Sequence, residues 1–245
     1  MLFSFLEYTS KNKSENSSKS TSVKNTLSGD SKNVKIHDAE SLSDVVQTKI
    51  TVEGVQTDIV SDVYEGGDVI WECSLDLKKF LRIHKFNPDV KIIELGCGHG
   101  LPSISLLTTY PDSSSTLQDY NKSSLAIAKT NLEREKISAD RVKFIESDWS
   151  DLTVYMNEQD LKYDVVLASE CTYNKESYDK LHECILSASH KETRIFLAMK
   201  STYFGVGGSY YDWEKFVDEK GCFDKVNLEE YGSALKRYVI EYRLK

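Results

Sequence analysis

The stretch Lys91-Ile92-Ile93-Glu94-Leu95 followed by Gly96-Cys97-Gly98-His99-Gly100 limits the fold more than any other part of the chain. A short apolar run reads as a buried strand. The three alternating glycines behind it let the backbone turn sharply without a Cβ in the way, and Leu101–Thr108 then reads as a helix. The same strand-then-helix alternation recurs downstream. Strands are predicted at 115–118, 142–145, 163–168 and 194–199, with helices at about 122–136, 176–187 and 211–219. Two last strands, around 224–226 and 237–242, have little between them and read as a closing hairpin. Alternation of this kind builds a parallel sheet with helices on both faces, a doubly wound α/β domain.

The preceding residues have a different character. From about 10 to 46 the chain is rich in Ser, Lys and Asn, as in Ser10-Lys11-Asn12-Lys13-Ser14, and has few large apolar side chains. Such a stretch buries too little surface to offset its ordering entropy. The reading is therefore a disordered tail over 1–46, with Phe3 and Phe5 as its one aromatic tip, and a folded domain over 47–245. No apolar run approaches the roughly 20 residues that span a bilayer, and the first residues lack a basic signal-peptide region. A soluble, intracellular protein is expected.

Charge and cysteine usage remove further classes. Acidic residues outnumber basic ones 39 to 31, a net charge of -8, whereas a nucleic-acid backbone calls for a concentrated basic face. The five cysteines, at 73, 97, 171, 184 and 222, show no CxxC spacing, and the five histidines form no HExxH. Neither a disulfide scaffold nor a metal site is expected.

In a doubly wound sheet, ligands sit beyond the carboxyl ends of the strands, where strand order reverses. After the first strand come Gly96, Gly98 and Gly100, with the free amides of a helix N-terminus behind them. After the second stands Asp119, a carboxylate able to accept both hydroxyls of a ribose. After the third come Asp148 and Trp149, an acid and an aromatic face suited to adenine. Taken singly, each has a plain alternative: a tight loop, a helix cap, a core tryptophan. At consecutive strand ends, in this order, they point to an adenosine-containing ligand. The glycines run GxGxG rather than the GxGxxG of dinucleotide folds, and there is no GxxxxGK[ST] phosphate loop.

The Glu94–Gly100 motif with Asp119 and Asp148 resembles the seven-strand, S-adenosylmethionine-dependent methyltransferases. Further stretches narrow the likeness: Tyr64-Glu65-Gly66-Gly67, Val69-Ile70-Trp71-Glu72-Cys73, Gln118-Asp119-Tyr120-Asn121, Ser169-Glu170-Cys171-Thr172-Tyr173-Asn174, and Lys200 with Tyr203-Phe204-Gly205-Val206-Gly207-Gly208. Together with Leu235-Lys236-Arg237 and Phe3-Ser4-Phe5 they are similar to the protein-histidine N-methyltransferases, over about residues 60 to 245. Cys171, Thr172 and Ser209 depart from that pattern.

The resemblance implies a Rossmann-like seven-strand sheet, S-adenosylmethionine as donor with S-adenosylhomocysteine as product, and a histidine of a basic large-subunit ribosomal protein as acceptor. Nothing in the sequence suggests an obligate dimer, so a monomer is expected, in the cytoplasm and, at 27.9 kDa, with access to the nucleus. Gly96, Cys97 and Gly98 would line the methionyl part through backbone groups while Glu94 orders that loop. Asp119 with Tyr120 or Asn121 would take the ribose, and Asp148 with Trp149 would frame adenine. Trp71 would cover the cofactor and Ser169 lie near the methyl.

On the acceptor side, Glu170, Tyr173 and Asn174 are expected to orient the imidazole, Glu170 being equally readable as a helix cap. The Gly205-Val206-Gly207-Gly208 loop would move on docking, with Gly205, Gly207 and Gly208 at the substrate, and Tyr203 and Phe204 either contact the substrate or pack as core. His99 reads as incidental, Cys171 as lining and Lys200 as a solvated strand end. A lysine-directed protein methyltransferase of the same superfamily and a non-catalytic cofactor-binding module are the rival readings, with a nicotinamide oxidoreductase further off.

Overall fold

The computed structural model describes residues 33–38, 41–42 and 69–245. Most of the expected tail, with Phe3 and Phe5, and the Tyr64–Gly67 stretch lie outside the described residues. Among those described, β1 is Lys35–His37, β2 Lys91–Leu95, β3 Ser114–Asp119, β4 Val142–Glu146, β5 Tyr163–Ser169, β6 Ser189–Lys200, β7 Phe223–Tyr231 and β8 Arg237–Leu244. The helices are α1 Glu72–Leu81, α2 Leu101–Thr109, α3 Lys122–Arg134, α4 Trp149–Glu158, α5 Tyr178–Ala188 and α6 Tyr210–Lys220.

One sheet holds all eight strands in the order β1-β4-β3-β2-β5-β6-β8-β7. The five strands from β4 to β6 are parallel, while β8 enters antiparallel between β6 and β7. Strand order reverses at β2, which has β3 on one side and β5 on the other, so the crevice opens above the ends of these three strands.

The side-chain alternation of β2 divides the core. Ile92 packs with Leu77, Phe80 and Leu81 of α1 and Leu106 of α2. Ile93 and Leu95 face the other layer, where Leu152 and Met156 of α4, Leu181 and Ile185 of α5 and Trp213 of α6 close over them. Both faces of the sheet are therefore covered, as its apolar strands require.

Two helices and one strand were not evident from the sequence. In α1, buried Cys73, Leu77 and Phe80 recur at helical spacing, with Glu72 in the first turn and Lys78 and Lys79 in the last, matching the helix dipole. In α4 only Leu152 and Met156 are buried, so the periodic signal is faint. The strand β1 corrects the boundary of the tail. Lys35–His37 lies inside 1–46 yet pairs antiparallel with β4, held by Lys35 and His37 on Glu146 at 2.5 and 2.8 Å. Two cationic or polar partners on one edge carboxylate supply locally what burial could not.

Candidate active site

The strand ends meet in a cavity of about 270 Å³, near the lower end for small-molecule sites of roughly 300 Å³ and upward. Its first wall is the loop after β2. Gly96 lies at φ 58°, and a Cβ there would meet Cys171 Sγ at 2.8 Å, so no other residue fits without a shift. At Gly98 a Cβ would meet nothing within 4 Å, because that side is open cavity.

The second wall is tied to the first by Gln118. Its side-chain oxygen accepts from Gly96 N–H at 3.0 Å and from the Trp149 indole N–H at 3.1 Å, while its amide donates to Ser147 O at 2.7 Å. One buried amide thus joins the ends of β2, β3 and β4. Beside it, Asp119 is 6% exposed. One carboxylate oxygen accepts Gly98 N–H at 3.0 Å and the other Asn121 N–H at 2.9 Å. The carboxylate also lines the cavity. Asn121 in turn caps α3 through Ser123 N–H. Asp148 caps α4 by accepting Asp151 N–H at 2.8 Å and faces Lys180 at 3.7 Å, so the cap reading and the cavity reading both hold for it.

Beneath the glycine loop, Glu94 accepts Ser103 N–H at 2.9 Å near the start of α2. Burial raises its carboxyl to about 7. It braces the loop from below and does not line the cavity.

The third wall follows β5. Ser169, Glu170, Cys171 and Tyr173 line it, with Trp71 opposite from the N-terminal side of α1. Glu170 is buried and left-handed at φ 58°, an uncommon state for a side chain with a Cβ, of the kind that clusters at functional sites. It does not cap a helix. Its carboxylate lies 3.5 Å from Lys200 Nζ, which sits over the Trp71 ring at 5.0 Å from the centroid. Burial first, and then the charge of Glu170, pushes the Cys73 thiol and the Tyr203 hydroxyl well up. Lys200 is 8% exposed, which corrects its reading as a solvated strand end.

A family model described as lysine methyltransferase matches residues 63–206. The chain belongs to this methyltransferase family. The histidine protein methyltransferase 1 homolog of Bos taurus is 33% identical, over 77% of this chain and 58% of that protein. The homolog of Dictyostelium discoideum is 35% identical, over 66% and 52%. Histidine protein methyltransferase 1 of Saccharomyces cerevisiae is 26% identical, over 85% and 70%. The chain spans little more than half the length of the first two. Among solved structures, the fibrillarin/Nop5p complex superposes with a TM-score of 0.55 at 15% identity, over 71% of this chain and 84% of that one. Magnesium protoporphyrin IX methyltransferase from Synechocystis, solved with bound SAM, gives 0.55 at 14%, over 70% and 78%. These likenesses are of fold.

Around this cavity the residues expected from the sequence divide cleanly. Trp71, Gly96, Gly98, Asp119, Tyr120, Asn121, Asp148, Trp149, Ser169, Glu170 and Tyr173 all line the cavity, and so does Cys171. The residues fit S-adenosylmethionine: an open face at Gly98, a buried carboxylate on the cavity wall at Asp119, and an indole edge fixed by Gln118.

Cys97, expected to contribute backbone groups, does not line the cavity: its N–H donates to Gln118 O and its O accepts Gly100 N–H, both at 2.8 Å, while its side chain packs with the cluster of Ile104 and Leu125. Asn174 is turned away, accepting Glu176 N–H at the start of a short 3-10 helix. Tyr203 is a core residue, edge-on to Tyr173 at 6.5 Å, and Phe204 is exposed. Of the glycines after it, Gly208 is pinned: its N–H donates to Tyr173 O at 2.8 Å and its O accepts Tyr203 N–H at 3.1 Å. None of Phe204, Gly205, Gly207 and Gly208 lines the cavity; they lie in the loop that packs behind Tyr173.

Sequence reasoning missed Gln118 as a structural hub, and Ser124, Ser147, Ser177 and Lys180 as lining. Gln118 carried a signal. A glutamine inside an otherwise buried strand must find partners for its amide.

Proposed function

We propose that this chain transfers a methyl group from S-adenosylmethionine to a histidine imidazole of a protein, and that the target is a basic large-subunit ribosomal protein. The observation that carries the reading is Glu170, a buried carboxylate on the cavity wall between Ser169 and Cys171, already partnered by the chain's own Lys200. S-adenosylmethionine, when bound, supplies an electrophilic methyl on a sulfonium.

The protein's part is alignment and exclusion of water. Asp119, the Gly96–Gly98 backbone and the Trp149 edge would hold the donor. A neutral imidazole has one lone-pair nitrogen and one N–H, so the tautomer decides which nitrogen attacks. Glu170 accepts the N–H and leaves the other nitrogen directed into the cavity. Tyr173 and Trp71 flank the ring. The extra proton leaves after transfer, and no strong base is required.

The likeness to proteins named histidine protein methyltransferase 1 supports histidine, while the family described as lysine methyltransferase favours lysine as the second reading. The net charge of -8 suits a basic protein partner. Among the described residues no helix is long and apolar enough to cross a membrane. We further propose a monomer acting in the cytoplasm with access to the nucleus.

The test is transfer of labelled methyl from S-adenosylmethionine to proteins of cells lacking this gene, followed by amino-acid hydrolysis. Methylhistidine on one ribosomal protein is the expected product. Methyllysine moves the chain to the second reading, and absence of label despite cofactor binding makes it a binding module.

A further inference from the structure

We infer that Lys200 is the residue that sets acceptor selectivity in this pocket, by cancelling the charge of Glu170 so that the site takes a neutral imidazole and refuses an alkylammonium. The inference rests on the histidine reading above and deepens it.

A buried carboxylate on a cavity wall would by itself attract a cation. That is what a lysine acceptor needs on entry, since it arrives charged. Here the carboxylate is not available as an isolated charge. Lys200 Nζ stands 3.5 Å from it, and both side chains are nearly inaccessible, at 10% and 4% exposure. The other titratable groups that feel Glu170 are Cys73, Cys171 and Tyr203, whose thiols and hydroxyl are all shifted away from ionisation. They add no charge, so the pair sums to zero.

Lys200 is also fixed in place. It ends β6, where its N–H donates to Tyr203 Oη at 3.1 Å, and its ammonium lies against the Trp71 face. Trp71 lines the cavity while Lys200 stands behind the wall. A second ammonium brought to Glu170 would meet this fixed positive charge and repel it. A neutral ring N–H would still find the carboxylate's remaining lone pairs. Specificity built by placing a like charge against the wrong ligand is a recognised device. Lys200 touches neither reacting group; it acts through Glu170 and is a positioning residue.

The test uses Lys200→Met, which keeps length and bulk without charge, and Lys200→Arg, which keeps charge. Each protein is given labelled S-adenosylmethionine and extract of cells lacking the gene. The ratio of methylhistidine to methyllysine is then read after hydrolysis. It is expected to fall about tenfold or more in Lys200→Met and to stay within about twofold in Lys200→Arg. Affinity for S-adenosylhomocysteine should be unchanged in both. A binding measurement needs no turnover: the wild-type protein saturated with S-adenosylhomocysteine is titrated by NMR at pH 8 with imidazole and with n-butylammonium. Imidazole is expected to bind at the Trp71 resonances and n-butylammonium is not. Equal binding of both probes to the wild-type protein overturns the inference even where Lys200→Met does not fold, and an unchanged product ratio in folded Lys200→Met overturns it as well. Wild-type protein that yields methyllysine, or no label, defeats the histidine reading itself. Methylhistidine from wild type with an unchanged ratio in the variant defeats the inference alone.

Discussion

Gln118 accepts the indole N–H of Trp149 at 3.1 Å. The same oxygen accepts Gly96 N–H, so the Trp149 wall and the glycine loop share one acceptor. Gln118→Leu keeps the bulk and leaves two donors and one carbonyl without their partner. Each lost buried partner costs about 1–3 kcal/mol, part of which relaxation toward the cavity recovers. The variant is expected to fold with a melting temperature several degrees lower and to bind S-adenosylhomocysteine about tenfold to a hundredfold more weakly. Scanning calorimetry gives the first and titration calorimetry the second; unchanged affinity would mean that the network is scaffolding without bearing on the pocket.

Asp119 offers a different separation. Its carboxylate takes two backbone amides and faces the cavity. Asp119→Ala removes both acceptors and the proposed ribose partner together, and is expected to abolish measurable transfer. Asp119→Asn keeps one acceptor oxygen, leaves either Gly98 or Asn121 unanswered, and is expected to retain weakened binding, down by about a hundredfold. Equilibrium binding of the cofactor product, rather than activity, ranks the three proteins. An Asp119→Ala protein that binds like wild type would remove Asp119 from the cofactor site.

Glu94 predicts a pH dependence of stability. Its folded carboxyl titrates at about 7, raised from 4.5 chiefly by burial. The folded state therefore keeps a proton that the unfolded state gives up, and stability is fully present below 4.5. As pH rises from 4.5 to about 7 it is lost, at no more than roughly 1.4 kcal/mol per unit. Glu94→Gln has no such titration, and its side-chain oxygen can still accept Ser103 N–H. The variant is expected to gain on the wild type steadily between pH 5 and pH 7.5 in urea denaturation, then run parallel to it. A constant difference across that range would show the carboxylate to be ionised when folded.

The sheet could be read from the sequence because buried strands announce themselves. The limits of β2 agree with the residues expected, and β3 to β6 fall where apolar runs sit between turn residues. The cavity wall was legible for the same reason: in this topology strand ends converge, so Asp119, Asp148 and the glycines needed no long-range information to be placed together. What escaped notice depends on contacts between distant segments. The weak helix α4 is held by only two buried side chains. The strand β1 exists through a clip to Glu146, over 100 residues away. Lys200 was read as solvated because a charged strand end usually is, and only its approach to Glu170 and Trp71 reverses that. The loop after β6 was read as mobile from its glycines, although Gly208 serves close packing.

Gly208 and Gly207 are neighbours with opposite demands. A Cβ on Gly208 would stand 2.1 Å from Thr172 O and 2.4 Å from Tyr173 O. Both are backbone atoms that cannot swing aside, so Gly208→Ala must push the loop off the segment that carries Tyr173. The expected cost is about 3 kcal/mol, with loss of activity from a displaced cavity wall. At Gly207 the backbone is left-handed at φ 83°, yet a Cβ would meet nothing within 4 Å. Gly207→Ala therefore carries only conformational strain, about 1–2 kcal/mol, and is expected to leave Tyr173 and cofactor affinity in place. Thermal unfolding of the two variants side by side, with transfer rates at 25 °C, decides the matter. If both lose activity equally, the loop acts through its own mobility. If only Gly208→Ala does, its glycine serves to hold Tyr173 against the cavity.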